Sequence, residues 1–536
     1  MTTTSSRRVF LGTAVILFFF IPSIFSQNIE LPSVTSTITG ETEEADEEAL
    51  PDFSQVLPPE ENVLPQLNDS RFSPESNTLN LGSGGMNEND MYLSGFFGGG
   101  FPGLFIGDFS IFKTSLKNPF TFHFLHSAHN GYGMNSPSDG FYDSLTRLDG
   151  EAVFNVSDAF SLKTRGLYHS NTIGLQNQSP LFSSLSSQTM QGSVTGGLNF
   201  SNILSFYSSL DGFVTNQYGS VKFTPEESSS SDNPDFSTFL LVPSAGFSFK
   251  GSSISFSLDA QYNFTGSIRS SEYGHRGAVY AALSTKASIF DAGLRVGGVF
   301  LNTMQLVPFD LYLTLRGKTA LSEKDLSVTF AGGMESKQVS LFEMQDEHLF
   351  TLYNTIPSEQ SDWFADVKFY LPIADFLSSD INLGFKSTAF ENGVLMPDYT
   401  VQNEQNSLFD LSAAARNELI SDIALKYSID LFSLALGWRS SWLDASVVDQ
   451  RQLIYVSTFI TSKESKLRSR AEIEFEPMRD LVPDISLGAY YSVTPSFSLA
   501  LEIEDVVKLV TGTDRIIAYP YTSRSGSALI TAKFYF

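Results

Sequence analysis

The sequence predicts an all-β protein, a large transmembrane antiparallel barrel of about 18–22 strands preceded by a disordered acidic N-terminal arm. Three observations predict it. Residues alternate apolar and polar over repeated stretches of eight to eleven. The gaps between those stretches are alternately short and long. The final ten residues, Ser527 to Phe536 (SALITAKFYF), put Phe536, Phe534, Ala532, Ile530 and Ala528 on one face and mostly polar residues on the other.

The first element is residues 1–26. Arg7 and Arg8, an apolar stretch from Val9 to about Phe20, then Pro22 and small residues read as an export signal peptide. The run Ser6-Arg7-Arg8-Val9-Phe10-Leu11 is also similar to a twin-arginine signal. The general secretory route is preferred, because the apolar core is strongly hydrophobic and a barrel should cross the inner membrane unfolded. Beyond this stretch no run of about 20 apolar residues exists, so a helical membrane protein is excluded.

Residues 27–90 form the second element. Twelve acids and a single base, Arg71, lie between Asn28 and Asn77, and prolines at 32, 51, 58, 59, 65 and 74 break regular structure. Like charge, proline and scarce aromatics spell a flexible periplasmic arm. Short apolar patches such as Asp52 to Pro58 could dock a periplasmic protein.

The third element, 91–536, is the barrel. Ile254 to Phe264 (ISFSLDAQYNF) alternates strictly, and so do Phe160 to His169, Phe432 to Arg439 and Phe497 to Glu504. One dry face and one wet face give this pattern. Tight turns are expected at 155–158, 200–203, 250–253, 290–293 and 493–496. Longer polar loops are expected at 126–143, 170–187, 218–234, 266–277, 337–362 and 391–406. Short turns on the periplasmic side and long loops outside are the arrangement of an outer-membrane barrel, whose outward face must be apolar and whose sheet must close. The cell outer membrane is therefore the expected location. The 48 Phe and 20 Tyr against 17% charged residues agree with a lipid-facing wall. Outer-membrane lipid is thus a partner. Phe534 and Phe536 resemble the C-terminal signal read by the barrel-assembly machinery.

The end of the chain carries a second resemblance. Leu499 to Val507, then Tyr519-Pro520-Tyr521, then Arg524-Ser525-Gly526 and the last strand, resemble the closing hairpin of TonB-dependent receptors. At the other end Val34, Thr35, Thr37 and Ile38 are similar to that family's energy-coupling box. The resemblance implies a receptor-like channel passing a solute across the outer membrane. The family's plug domain is not recognisable here, since alternation starts near Met91. The expected lumen is closed by inward-folded loops, by the arm or by a partner.

Residues opposite the apolar positions line that lumen. Candidates are Lys163, Arg165, Asp259, Glu472, Glu474, Glu476, Glu502 and Glu504, with Lys463, Lys466, Arg468 and Arg470 upstream of the first three glutamates. Acids on a wall favour cations or basic solutes, whereas offsetting charges give only a solvated wall. His123, His126 and His129 are read as a loop cluster. They show no Ser-His-acid spacing, and two of them without a third ligand make no metal site. No catalytic residue, metal or cofactor is expected, and the net charge of −26 argues against nucleic acid. The Gly-rich run from Gly95 to Gly103 is assigned to the first strands, where Gly relieves crowding beside Phe. A competing function is a surface-exposed binding, adhesion or scaffold protein that recruits periplasmic partners through residues 28–90.

Overall fold

The computed structural model describes residues 91–535 apart from short stretches, the longest of them 223–235 and 444–451. The stretches expected to be a signal peptide and an acidic arm, the box-like residues Val34, Thr35, Thr37 and Ile38, and also Arg524 and Phe536, lie outside the described residues.

One antiparallel sheet runs through the chain in sequence order and closes on itself. It begins with the hairpin Met91–Phe101 and Leu104–Lys113 and ends with Ser527–Tyr535. Of its twenty-three paired segments, Gln305–Leu306 and Phe309–Lys318 are consecutive parts of one strand beside Phe290–Leu301, so the wall has twenty-two strands. Closure comes from the last strand. It pairs with Phe497–Glu504 on one side and with Met91–Phe101 on the other, in a register that matches Ser94 with Tyr535 and Phe101 with Ala528. Among the described residues no strand of the wall is left with an unpaired edge, as a sheet in hydrocarbon requires.

The seam depends on glycine. A Cβ on Gly100 would lie 1.9 Å from the carbonyl oxygen of Ala528, and one on Gly98 would lie 2.6 Å from that of Ile530. Only a residue without a side chain lets these two backbones approach. On the outer side Phe534 packs against Phe97 and Phe109, with ring centroids 6.4 and 6.1 Å apart, and Ile530 is 62% exposed. Strand 254–267 shows the same logic, with Ile254, Phe256, Leu258 and Tyr262 all exposed on the outer face. An exposed apolar belt of this kind is stable only against lipid.

Turn lengths sort the two rims. Residues 156–159, 202–203, 251–253, 375–376, 430–431 and 495–496 are short and lie on one rim; the segments 340–357, 389–415 and 505–526 lie on the other. Three sequence expectations shift. The turn placed at Phe290–Gly293 lies at 287–289, and Phe290 already pairs with Leu315. The segments expected as loops at 126–143, 170–187 and 266–277 shrink to 131–141, 175–181 and 268–272, because the flanking strands continue beyond the alternating core. His123, His126 and His129 consequently sit on strand Phe120–Asn130. Strands near the seam span 8 to 11 residues, whereas Phe182–Ser201 spans 20. Such a strand stands well above the roughly 9–11 residues that cross a bilayer.

Candidate functional site

The inner wall is polar, and its charged side chains meet cations or hydroxyls along and across the strands. Lys163 Nζ lies 2.9 Å from Glu151, while Arg165 stands opposite Glu151 and Ser193. Glu472 receives the Arg470 guanidinium, Tyr490 donates to Glu502 at 2.7 Å, and Ser527 Oγ donates to Glu504 at 3.2 Å. Asp259 accepts from Tyr207 Oη at 2.8 Å. Glu474 stands opposite Tyr455 and Asp484 in the ladder, and Glu476 lies just beyond the end of strand Leu467–Phe475, where it is buried. The sequence candidates are thus distributed round the wall as separate pairs; no single cluster gathers them.

Sequence reasoning missed the partners of the histidines. His123 bridges Asp108 and Asp149 at 3.1 Å on each ring nitrogen, and Arg147 Nε donates to Asp149 at 2.8 Å. His129 Nδ1 pairs with Asp143 at 2.7 Å, while His126 meets Thr146 at 2.9 Å. The available signal was the odd-numbered series Asp143, Arg147, Asp149 and Glu151, which one strand places on one face. No group of three or more metal-ligating side chains occurs among the described residues.

The second missed feature lies at the long-loop rim, where three segments converge. The Phe350 and Tyr521 rings stack with centroids 4.0 Å apart, and Phe409 meets Tyr521 edge-on at 6.1 Å. Beneath them are Ile173, Leu175, Phe182 and Leu185 from the strands Phe160–Gly174 and Phe182–Ser201 and the loop between them. A dry core therefore forms inside the mouth of a wet cylinder. Two glutamine amides pin it. Gln176 Nε2 donates to the Thr522 carbonyl at 2.6 Å and Oε1 accepts from Thr522 N–H at 2.9 Å. Gln217 does the same for a second loop, donating to the Thr351 carbonyl at 2.8 Å and accepting from Tyr353 N–H at 2.6 Å. Strand 394–402 pairs with Phe409–Ala414, which in turn pairs with Thr351–Leu352, so two of the loops share a small sheet.

Two further contacts fix the rim. Arg276 donates to Glu359 at 2.8 Å and to the Ser336 carbonyl at 3.1 Å, with the paired side chains only 3% and 6% exposed. In the closing segment, Asp505 adopts φ 44° and caps the short helix Val506–Thr511. Lys508 reaches Asp484 and Asp505. Burial works to lower the Lys508 pKa, but the two carboxylates outweigh it and raise it above the ordinary lysine value. Burial also pushes the Tyr521 hydroxyl well up, and that hydroxyl donates to the Ser407 carbonyl at 2.9 Å.

A closed twenty-two-stranded cylinder with an apolar outside, a polar inside and loops gathered at one mouth defines a large outer-membrane β-barrel. No family model matches the sequence and no curated protein matches it. Solved structures do match in fold. The ferric-catecholate import receptor Fiu from E. coli superposes with a TM-score of 0.55 at 10% identity, over 84% of this chain and 82% of that one. The ferric enterobactin receptor PfeA of Pseudomonas aeruginosa gives 0.59 at 10% identity over 84% and 82%. The FrpB iron transporter from Neisseria meningitidis gives 0.59 at 6% identity over 84% and 82%. The resemblance to TonB-dependent receptors carried by the closing hairpin thus extends, as fold, to the whole barrel.

Proposed function

We propose that the chain passes a solute through its barrel across the outer membrane, with the long-loop mouth held shut by its own loops and opened when they lift. The observation that carries this reading is the Phe350–Tyr521 stack inside the mouth, clamped by Gln176 and Gln217. A scaffold or adhesin would have no use for loops folded inward over a dry core. Lys163–Glu151 and Arg470–Glu472 offset each other, while Asp259, Glu502 and Glu504 accept from hydroxyls that keep their charge, which supports a solvated passage that disfavours anions. Nothing in the arrangement calls for a catalytic step. Solutes of the structural relatives, iron complexes among them, are one class to test. Coupling through the box-like residues 34–38 and recruitment through residues 28–90 are also proposals, to be tested by pull-down with the isolated arm.

The experiment is conductance of the purified chain in a planar bilayer, compared with Gln176→Ala and Gln217→Ala. Rising current in the variants supports passage gated by the loops. Silence from wild type and both variants, all folded, would overturn it.

A further inference from the structure

On the inner face, strands Leu204–Val221, Phe236–Lys250, Ile254–Ser267, Tyr273–Lys286 and Phe290–Leu301 run side by side. Their ladders place five residues in one cross-strand row. Tyr207 stands opposite Gly246, Gly246 opposite Asp259, Asp259 opposite Tyr280, and Tyr280 opposite Gly297. The two glycines explain how the rings are held. A Cβ on Gly246 would lie 2.2 Å from Tyr207 Cε1, and one on Gly297 would lie 2.4 Å from Tyr280 Cδ1. Each ring therefore lies down across its neighbouring glycine, where any larger residue would lift it off the wall. A third ring repeats the device two strands on, where a Cβ on Gly293 would come within 2.3 Å of Tyr312 Cε1. Laying aromatic rings over glycine stabilises a sheet. That accounts for the rings singly, but not for the carboxylate set between two of them.

We infer that this row is a binding track for a neutral saccharide, a solute that presents flat C–H faces to the rings and hydroxyls to the polar groups between them. Tyr207 and Tyr280 are three inter-strand steps apart, about 14 Å, so they contact different rings of one chain. Asp259, which already accepts from Tyr207 Oη at 2.8 Å, offers its carboxylate to sugar hydroxyls. Arg276 Nη2 donates to Tyr280 Oη at 3.3 Å and fixes that ring. The surrounding wall carries hydroxyls, with Ser209 bonded to Ser244 and Ser255 to Ser284, each at 2.6 Å, and Ser209 Oγ also donates to Asp211 at 3.2 Å. Both cations beside Tyr280 are paired, Arg276 with Glu359 at 2.8 Å and Arg295 with Asp310 at 2.5 Å. A quaternary ammonium ion is the competing ligand, since it also favours aromatics beside a carboxylate. One feature counts against it: the rings are spread along the wall instead of closing round a point, three inter-strand steps apart.

The inference rests on the passage reading for its purpose, but its test is separable. Isothermal titration of the detergent-solubilised full chain with maltohexaose is run beside bilayer current, with tetramethylammonium as the second titrant. Saturable sugar binding is expected, weakened about tenfold in Tyr280→Ala, the order of one lost aromatic contact. Tyr280→Phe should bind like wild type, and Asp259→Ala should weaken binding in a barrel whose rings are intact. Heat-dependent gel migration verifies that each variant is folded. Current without sugar binding overturns the track and leaves passage standing, whereas sugar binding in a silent barrel does the reverse. Binding of tetramethylammonium in place of sugar, or sugar affinity unchanged in both Asp259→Ala and a folded Tyr280→Ala, also overturns it.

Discussion

Gln176 and Thr522, 346 residues apart in sequence, exchange two hydrogen bonds through a single side-chain amide, which does for the closing segment what a neighbouring strand would do. The loop's own backbone is thereby satisfied where it turns into the barrel mouth.

Removing that amide gives the first prediction. Gln176→Ala should cost the docked segment about 1–3 kcal/mol, two modest hydrogen bonds in a partly buried setting, while leaving the cylinder folded. Limited proteolysis should then cut within 505–526 faster than in wild type. Equal cleavage would mean that the clamp holds nothing.

Tyr521 separates packing from hydrogen bonding. Tyr521→Ala removes a fully buried ring stacked on Phe350, a loss of about 3–5 kcal/mol in loop docking. Tyr521→Phe forfeits only the bond to the Ser407 carbonyl, about 1 kcal/mol. Hydrogen exchange at Thr351 and Leu352 reports the difference, and the alanine variant should lose far more protection than the phenylalanine one.

Lys508 sets an alkaline limit on the same segment. Its pKa is raised in the folded state, so its contribution is complete below the ordinary lysine value and disappears as pH rises through the elevated one. Exchange protection of helix Val506–Thr511 should therefore fall in strongly alkaline solution. In Lys508→Met that pH response should be flat, and a matching fall in the variant would assign it to another group.

At the seam, neighbouring glycines should behave oppositely. Gly100→Ala forces a Cβ to within 1.9 Å of the Ala528 carbonyl oxygen, while Gly99→Ala meets nothing nearer than the Leu104 carbonyl at 3.7 Å. Heat-modifiable migration should show an unfolded or poorly assembled Gly100 variant and a normal Gly99 variant. Equal yields of both would remove the steric account of closure.

The cylinder was legible because lipid imposes a strict period of two on one face: Ile254 to Phe264 could be assigned before any pairing was known. Rims were harder. Phe290-Asp291-Ala292-Gly293 has turn composition but lies in a strand, since a wet lumen admits Asp and Gly on the inner face. The histidines of Phe120–Asn130 read as loop for the same reason. Glu472 meets Arg470 two residues along its own strand, but the partners of Asp259 and Glu502 depend on cross-strand register, which hairpin lengths determine and composition does not. Contacts such as Gln217 with Thr351, or Arg276 with Glu359, join segments far apart in sequence and leave no local periodic trace.

An even strand number has a topological result for handling the molecule. Met91 and Tyr535 both lie at the short-turn rim, so a label fused to the carboxyl end shares a compartment with whatever enters Met91, and reagents confined to the other side of an intact membrane reach neither. Antibody epitopes for intact cells belong instead on the opposite rim, where Asn177, Gln178 and Pro180 are exposed.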